Sequence, residues 1–368
     1  MIWSIRNPPE QELIKMPKTR VLIIDDSAYS RQTIKKMLES DSHIEVAGIA
    51  SDGVDAMAKT LRLSPDLITL DLEMPEMDGF SFLRWLMKNK PTPVIIVSSY
   101  SDSRTVFKAL EFGAADFIAK PPRMGPNDFE KLEKDLLTKV KGIKDFRIEK
   151  LSRNLELLAA GPAEKVSVGG SKNIVEAVAV GSSTGGPAAL KIILTKLPAD
   201  FPAGIAISQH MPKGFTESFA ERLNGISKLC VKEAADGDEF ESGKVLICPG
   251  GFHLLFKKSG RKTVAVIKEP KSTDKYVPSV DIMMSSIAEI YGHKAMGVVL
   301  TGMGNDGRGG MLEIKKKGGY TIAESADTAV VYGMPSEVIK AGAAERVLPL
   351  PEIPAEIIKL VKGAKKVE

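Results

Sequence analysis

The sequence predicts an α/β protein built from two tandem units: an N-terminal five-stranded parallel sheet of the (βα)5 kind and a C-terminal doubly wound, mostly parallel sheet. Three observations carry that prediction. Short apolar runs alternate regularly with helical stretches in both halves, polar or acidic residues follow the apolar runs, and a charged, then glycine- and proline-containing stretch divides the halves. Strands joined by helical crossovers lie parallel, so their carboxyl ends share one edge of the sheet.

In the first half, residues 21–24 read as a strand, 27–38 as a helix, 46–50 as a strand and 53–63 as a helix. Residues 67–70, 94–97 and 117–119 supply three more short apolar strands, with helices expected on both faces. Residues 128–158 read as a helix of mixed charge, followed by a flexible linker to residue 172. In the second half, apolar runs at 177–180, 203–207, 245–247 and 296–300 read as strands, and 308–317 as a helix. The expected organisation is a disordered leader over 1–18 containing Pro8, Pro9 and Pro17, a first domain over 19–122, a helical and flexible linker over 123–173, and a second domain over 174–368.

The residues after the first-half strands have a common chemistry. Asp25 and Asp26 follow the first, Asp71 the third, Ser98 the fourth and Lys120 the fifth. Three carboxylates converging on one edge repel one another, and a hard cation such as Mg²⁺ relieves them. A sparsely ligated octahedral metal leaves room for a phosphoryl group, with Asp71 as the carboxylate nucleophile, Ser98 bonding a phosphoryl oxygen and Lys120 adding positive charge.

Three loops of the second half, 181–186, 208–212 and 301–307, each follow an apolar run and together supply a serine, a histidine and an aspartate: Ser183, His210 and Asp306. Each alone has an ordinary structural explanation, as a cap, a hydrogen-bonded histidine or a turn former. Their joint placement beyond strands favours a nucleophile, a base and an orienting acid, and Ser183 and His210 are separated by about one strand-helix-strand unit of ~30 residues. His253 also follows an apolar run and reads as either a cleft-wall or a structural residue, while His43 and His293 read as surface residues. The isolated histidines predict no catalytic metal in this half.

Composition narrows the classes. The 368 residues are 43% hydrophobic and 27% charged, which suits globular domains with real cores. The 51 basic and 47 acidic residues intermix to a net charge of +4, giving no footprint for nucleic acid or a membrane surface. Cys230 and Cys248 are the only cysteines, excluding a disulfide framework or thiolate zinc site and fitting a reducing compartment. No apolar run approaches the ~18 residues of a membrane span, and the first residues lack a signal-peptide core. These features predict a cytoplasmic protein without membrane insertion.

Residues 18–122 resemble a response-regulator receiver domain through Asp25-Asp26-Ser27, Leu70-Asp71-Leu72-Glu73-Met74-Pro75, Met77-Asp78-Gly79 and Lys120-Pro121. The resemblance implies that Asp71 accepts phosphate from a histidine kinase and that Asp25, Asp26 and the Glu73 backbone carbonyl serve Mg²⁺. It also implies that Ser98 and Lys120 read the phosphorylated state. Phe117 stands where many receivers carry an aromatic rotamer switch.

The whole order resembles the chemotaxis receptor protein-glutamate methylesterases. The matching segments are residues 179–187, Gln209-His210-Met211-Pro212, Pro278-Ser279-Val280-Asp281, residues 300–307 and Gly333-Met334-Pro335. Position beside Thr184 selects Ser183 over Ser182. The resemblance implies hydrolysis of glutamate γ-methyl esters on methyl-accepting chemoreceptors and deamidation of particular receptor glutamines, with a chemotaxis histidine kinase as phosphodonor. Backbone N–H groups around Met303 and Thr184 are the oxyanion candidates, and no cofactor is expected in the esterase domain. Two other readings remain: a catalytically silent, phosphorylation-dependent adaptor, and a dinucleotide-dependent enzyme suggested by Gly302, Gly304 and Gly307 with Glu324 as a ribose contact.

Overall fold

A computed structural model describes residues 18–99, 103–120, 125–143, 146–159 and 175–362. Residues 1–17 of the expected leader, residues 160–172 of the flexible linker, Pro121 and residues 363–368 lie outside the described residues.

The first unit runs β1 (Thr19–Ile24), α1 (Ala28–Glu39), β2 (Ile44–Ala50), α2 (Gly53–Leu63), β3 (Leu67–Leu70), α3 (Gly79–Asn89), β4 (Val94–Ser99), α4 (Ser103–Glu111), β5 (Asp116–Lys120) and α5 (Pro126–Gly142). The strands pair in parallel in the order β2-β1-β3-β4-β5, so the five expected strands are all present. Helix starts follow capping chemistry: Ser27, Asp52 and Asp78 each accept backbone N–H groups from the first turn of α1, α2 and α3. Alternation along β1 divides the core. Val21 and Ile23 pack with Ile34 of α1 and Leu132 and Leu136 of α5, whereas Leu22 and Ile24 pack with Ala56, Leu83 and Val106 of α2, α3 and α4.

The single helix expected over 128–158 is two helices, α5 and α6 (Ile148–Ala159). Tertiary pairing breaks it. Phe146 forms an antiparallel bridge with Val331, and the Arg147 N–H donates to the Val330 carbonyl at 3.0 Å, bonds that a continuous helix could not make. The break sends α5 onto the first sheet and α6 onto the second unit.

The second unit comprises β6 (Ala177–Ser182), α7 (Gly186–Lys196), β7 (Gly204–Gln209), α8 (Thr216–Asn224), β8 (Cys230–Glu233), β9 (Lys244–Ile247), β10 (His253–Ser259) and β11 (Lys262–Lys268). It continues through α9 (Val280–Tyr291), β12 (Ala295–Val299), α10 (Arg308–Lys316), β13 (Tyr320–Glu324), α11 (Met334–Lys340), β14 (Arg346–Leu348) and α12 (Ile353–Lys362). Seven strands pair in parallel in the order β14-β13-β12-β6-β7-β9-β8, and β10 and β11 form a separate antiparallel hairpin. Leu190, Phe219 and Ile357 of α7, α8 and α12 bury against one face. Met283, Met311 and Val338 of α9, α10 and α11 bury against the other. Winding proceeds one way from β6 to β7 and the other way from β12 to β13, so the β6/β12 boundary is the switch point, where doubly wound sheets open a crevice at their carboxyl edge.

Glu324, the last residue of β13, is wholly buried. Its carboxyl accepts the Thr301 N–H at 2.8 Å and the Thr328 hydroxyl at 2.9 Å, stitching the loop after β12 to the loop after β13. A ribose has no access to it, and Gly302 lies against Ser183 and Met334 instead of facing open space. This removes the structural basis of the dinucleotide reading. Burial pushes the Glu324 carboxyl from an ordinary value of 4.5 to about 7, against its two hydrogen bonds. Above about pH 4.5 the unfolded chain releases this proton while the folded chain keeps it, so the group's contribution to stability falls until about pH 7 and then levels. Glu324→Gln preserves one acceptor and supplies a donor without that titration. Urea midpoints at pH 5 and pH 8 are expected to show the variant gaining relative to the parent at the higher pH, by on the order of 3 kcal/mol at most; equal differences at both pH values would refute the assignment.

Candidate active site

The switch point gathers the three loops singled out in the sequence. Ser183 follows β6, His210 follows β7 and Asp306 lies between β12 and α10. His210 Nε2 and Asp306 Oδ2 are 2.8 Å apart, and the His210 N–H donates to the Ser182 carbonyl at 3.0 Å. The Ser183 N–H donates to the Thr301 carbonyl at 3.0 Å, binding the β6 loop to the β12 loop. Ser183 is half-buried, and its carbonyl accepts the Gln209 side-chain amide at 3.0 Å. Among the described residues no hydrogen bond joins the His210 ring to the Ser183 hydroxyl; such bonds often close only when substrate is bound.

Ser182 and Ser183 are told apart by their surroundings. The Ser182 hydroxyl is buried and donates to Gln209 Oε1 at 2.6 Å, whereas Ser183 retains exposure. Gln209 therefore acts as a strut: one amide holds Ser182, the Ser183 carbonyl and the His210 carbonyl. Its position beside His210 was the available sequence signal, but a glutamine at a strand end has no distinctive spacing.

Asp306 is 1% exposed and receives the Val280 N–H at 2.7 Å, the Asp281 N–H at 2.9 Å and the Ser279 hydroxyl at 3.1 Å. The first two belong to the opening turn of α9, so the carboxylate sits at a helix N-terminus. Burial pushes the Asp306 carboxyl up, but the His210 bond and charge together with these N–H groups outweigh it and hold the carboxyl below its ordinary value. Asp281 returns the arrangement by accepting the Gly310 N–H of α10 at 2.7 Å. Burial, with the Asp306 charge nearby, pushes the Asp281 carboxyl up despite its bonds to the α10 start. An ionised acid thus grips one imidazole nitrogen and leaves Nδ1 to handle a proton, an arrangement suited to acyl transfer.

His253 does not form an exposed cleft wall. It is 1% exposed, its Nδ1 accepts the Ser279 N–H at 3.2 Å and its Nε2 bonds Asp274 at 3.0 Å. A ring saturated in this way braces the turn entering α9, behind Asp306. Tyr276, which sequence reasoning did not single out, lies parallel to the His210 ring, with centroids 5.1 Å apart and an interplanar angle of 4°.

Neither the Thr184 nor the Met303 N–H donates to a described backbone carbonyl, which leaves both oxyanion candidates open. Their side chains, however, meet the first unit. The Thr184 hydroxyl donates to Asp116 at the start of β5, and Met303 packs against Gly142 at the end of α5. This contact also includes the Phe107–Phe219 stack at 5.3 Å, the Phe117–Phe215 pair at 4.7 Å, and Glu111 paired with Lys191 and Arg222. Phe117 is 3% exposed, so the aromatic position singled out in the sequence is part of the buried contact between the units.

The carboxyl edge of the first sheet carries the acidic cluster. Oxygens of Asp25, Asp26 and Asp71 lie within 4.8 Å of one another, and Lys120 Nζ bridges Asp71 and Asp25, the latter at 2.8 Å. Burial, with the neighbouring Asp25 charge, pushes the Asp71 carboxyl up even beside Lys120. This all-oxygen set of partly buried, mutually repelling donors fits a hard divalent cation. Glu73 donates its N–H to Asp71 at 3.2 Å, which places the Glu73 peptide beside the cluster. Ser98 is buried and pairs in register with Ala119, the neighbour of Lys120.

Comparison with known proteins agrees with both halves. Residues 178–357 match the CheB methylesterase family, and residues 21–128 match the response regulator receiver domain. A relative from Geobacter sulfurreducens named protein-glutamate methylesterase/protein-glutamine glutaminase 3 is 47% identical over 362 residues, covering 94% of this chain and 98% of its own. A relative of the same enzyme name from Pyrococcus horikoshii is 41% identical over 349 residues, covering 94% of each. The crystal structure of the Thermotoga maritima CheB methylesterase catalytic domain is 46% identical with a TM-score of 0.50, covering 51% of this chain and 99% of that one. The chain belongs to the CheB methylesterase family, in the form that joins a receiver domain to a methylesterase domain.

Proposed function

We propose that this protein is a phosphorylation-activated serine esterase that hydrolyses glutamate γ-methyl esters on methyl-accepting chemoreceptors and deamidates particular receptor glutamines, in the cytoplasm. The observation that carries the reading is the His210–Asp306 pair at 2.8 Å beside Ser183 at the sheet's switch point. No described helix is long and apolar enough to cross a membrane.

Ser183 Oγ attacks the ester carbonyl while His210 Nδ1 takes its proton. Asp306, already engaged at Nε2, stabilises the imidazolium. The N–H groups of Thr184 and Met303 receive the oxyanion. His210 then gives its proton to the leaving oxygen, releasing methanol, or to the leaving amide nitrogen, releasing ammonia, and water hydrolyses the acyl-serine to a glutamate carboxylate and free Ser183.

A chemotaxis histidine kinase supplies the phosphoryl group to Asp71. Mg²⁺, held by Asp25, Asp26, Asp71 and the Glu73 carbonyl, would neutralise charge on that group when bound. Ser98 and Lys120 bind phosphoryl oxygens, which draws Lys120 from its pairing with Asp71 and changes the end of β5. Because β5 begins at Asp116 and contains Phe117, the change reaches Thr184 and Phe215 through direct contacts. Phosphorylation thereby weakens the grip of the receiver on the residues flanking Ser183. An adaptor without catalysis would need none of the His210–Asp306 alignment.

Methanol release from methylated chemoreceptor membranes, with and without a small phosphoryl donor plus Mg²⁺, tests both parts. The parent should be stimulated by the donor, Asp71→Asn should show basal release only, and Ser183→Ala should show a loss of about a thousandfold or more; a Ser183→Ala protein that retained parental turnover would sink the esterase reading. Glu111→Ala removes the partner of Lys191 and Arg222 and is expected to raise the unphosphorylated rate about two- to fivefold, since ~1 kcal/mol corresponds to a factor of about five. An unchanged basal rate would argue against restraint by this interface.

A further inference from the structure

Among the described residues the His210 ring has one hydrogen bond, to Asp306, and a single bond leaves a ring free to tilt about the donor–acceptor line. Tyr276 covers its face at 5.1 Å, parallel to within 4°. The stacking ring is itself anchored: its hydroxyl donates to Asn305 Oδ1 at 3.0 Å and accepts the Asn305 N–H at 3.3 Å. Asn305 adjoins Asp306, so the loop that holds one edge of the imidazole also holds the ring against its face. Gly304, with φ +91°, makes this possible, because a Cβ there would collide with the Tyr276 hydroxyl. Lys275 closes the outer side, its Nζ 3.1 Å from Asn305 Oδ1 and 4.8 Å from the Tyr276 ring centre.

We propose that Tyr276 is a positioning residue for acyl transfer: its anchored ring fixes the plane of His210 so that Nδ1 meets Ser183, the leaving group and the hydrolytic water in one orientation. The inference rests on the esterase reading above, in which His210 moves the proton. Electron density on the face of the tyrosine ring also favours the imidazolium that forms as Ser183 attacks. Proton transfer is sensitive to small misplacements, with losses of about a hundredfold for ~1 Å. The contribution of Tyr276 therefore belongs in kcat.

The test measures methanol release by the full chain on methylated chemoreceptor membranes, with Mg²⁺ and a small phosphoryl donor, for Tyr276→Leu, Tyr276→Phe and Ser183→Ala. Tyr276→Leu is expected to lower kcat about ten- to a hundredfold with KM within about twofold. Tyr276→Phe keeps a flat ring and should recover at least half of that loss on a logarithmic scale. Parental kcat in Tyr276→Leu, a change confined to KM, or a Phe variant as slow as the Leu variant would each overturn the proposal. If Ser183→Ala is inactive in the same assay while Tyr276→Leu is unimpaired, only the positioning role fails; an active Ser183→Ala removes the esterase reading beneath it. Circular dichroism of each variant checks folding, and where Tyr276→Leu misfolds Tyr276→Met takes its place, with the same loss expected and the same outcomes overturning the proposal.

Discussion

The active edge of the second unit depends on an exchange of carboxylates between two helices. Asp306 enters α10 but places its oxygens at the start of α9, and Asp281 lies in α9 but bonds the start of α10. Each acid answers N–H groups that a helix end leaves unpaired. The exchange fixes the two helices against each other and keeps Asp306 ionised in a nearly water-free site. Without it, His210 would face a buried carboxyl inclined to hold its proton. Ser279, His253 and Asp274 extend the same structure outward, each satisfying the polar group before it.

A second constraint ties this site to the receiver. The buried apolar cluster is continuous from Leu22 and Phe107 in the first unit to Phe219 and Val178 in the second. Two contacts at its border fall on the candidate oxyanion residues, one polar, Asp116 with the Thr184 hydroxyl, and one apolar, Gly142 against the Met303 side chain. Asp116 also receives Lys139 at 3.3 Å, so β5 and α5 act as one support. Burial lowers the Lys139 ammonium, but the charges of Asp116 and Asp135 outweigh it and raise the group, which keeps this support charged. On the proposed function, a phosphoryl group at Asp71, whose partner Lys120 ends β5, would reach the esterase through that one strand.

Much of this arrangement was legible before any coordinates. The five receiver strands and the Ser183, His210 and Asp306 loops were found because a parallel strand is a short apolar run, and a residue just past such a run lies on a known edge. The acidic cluster was equally plain, since three aspartates after neighbouring strands must share space. Less visible were the break between α5 and α6, which arises from Phe146 and Arg147 pairing with a loop far along the chain, and the β10–β11 hairpin. His253 was left between a cleft wall and a structural role because a histidine after a strand looks the same whether its ring faces solvent or, as here, a helix cap. Glu324 kept a lesser alternative open in the same way: its spacing from the glycines allowed a ligand contact, and only its burial showed a stitch between loops.

The sequence by itself determined the class of each unit, the edge on which chemistry occurs, and the residue types that gather there. These follow from periodicity and chain order, which are local properties. Tertiary structure decided which imidazole nitrogen meets Asp306, that Tyr276 lies over the ring, that Ser182 is held by Gln209 while Ser183 retains exposure, and which receiver residues touch Thr184. Those facts depend on side-chain directions across strands and helices distant in sequence, and no spacing along one chain encodes the angle at which two such elements meet.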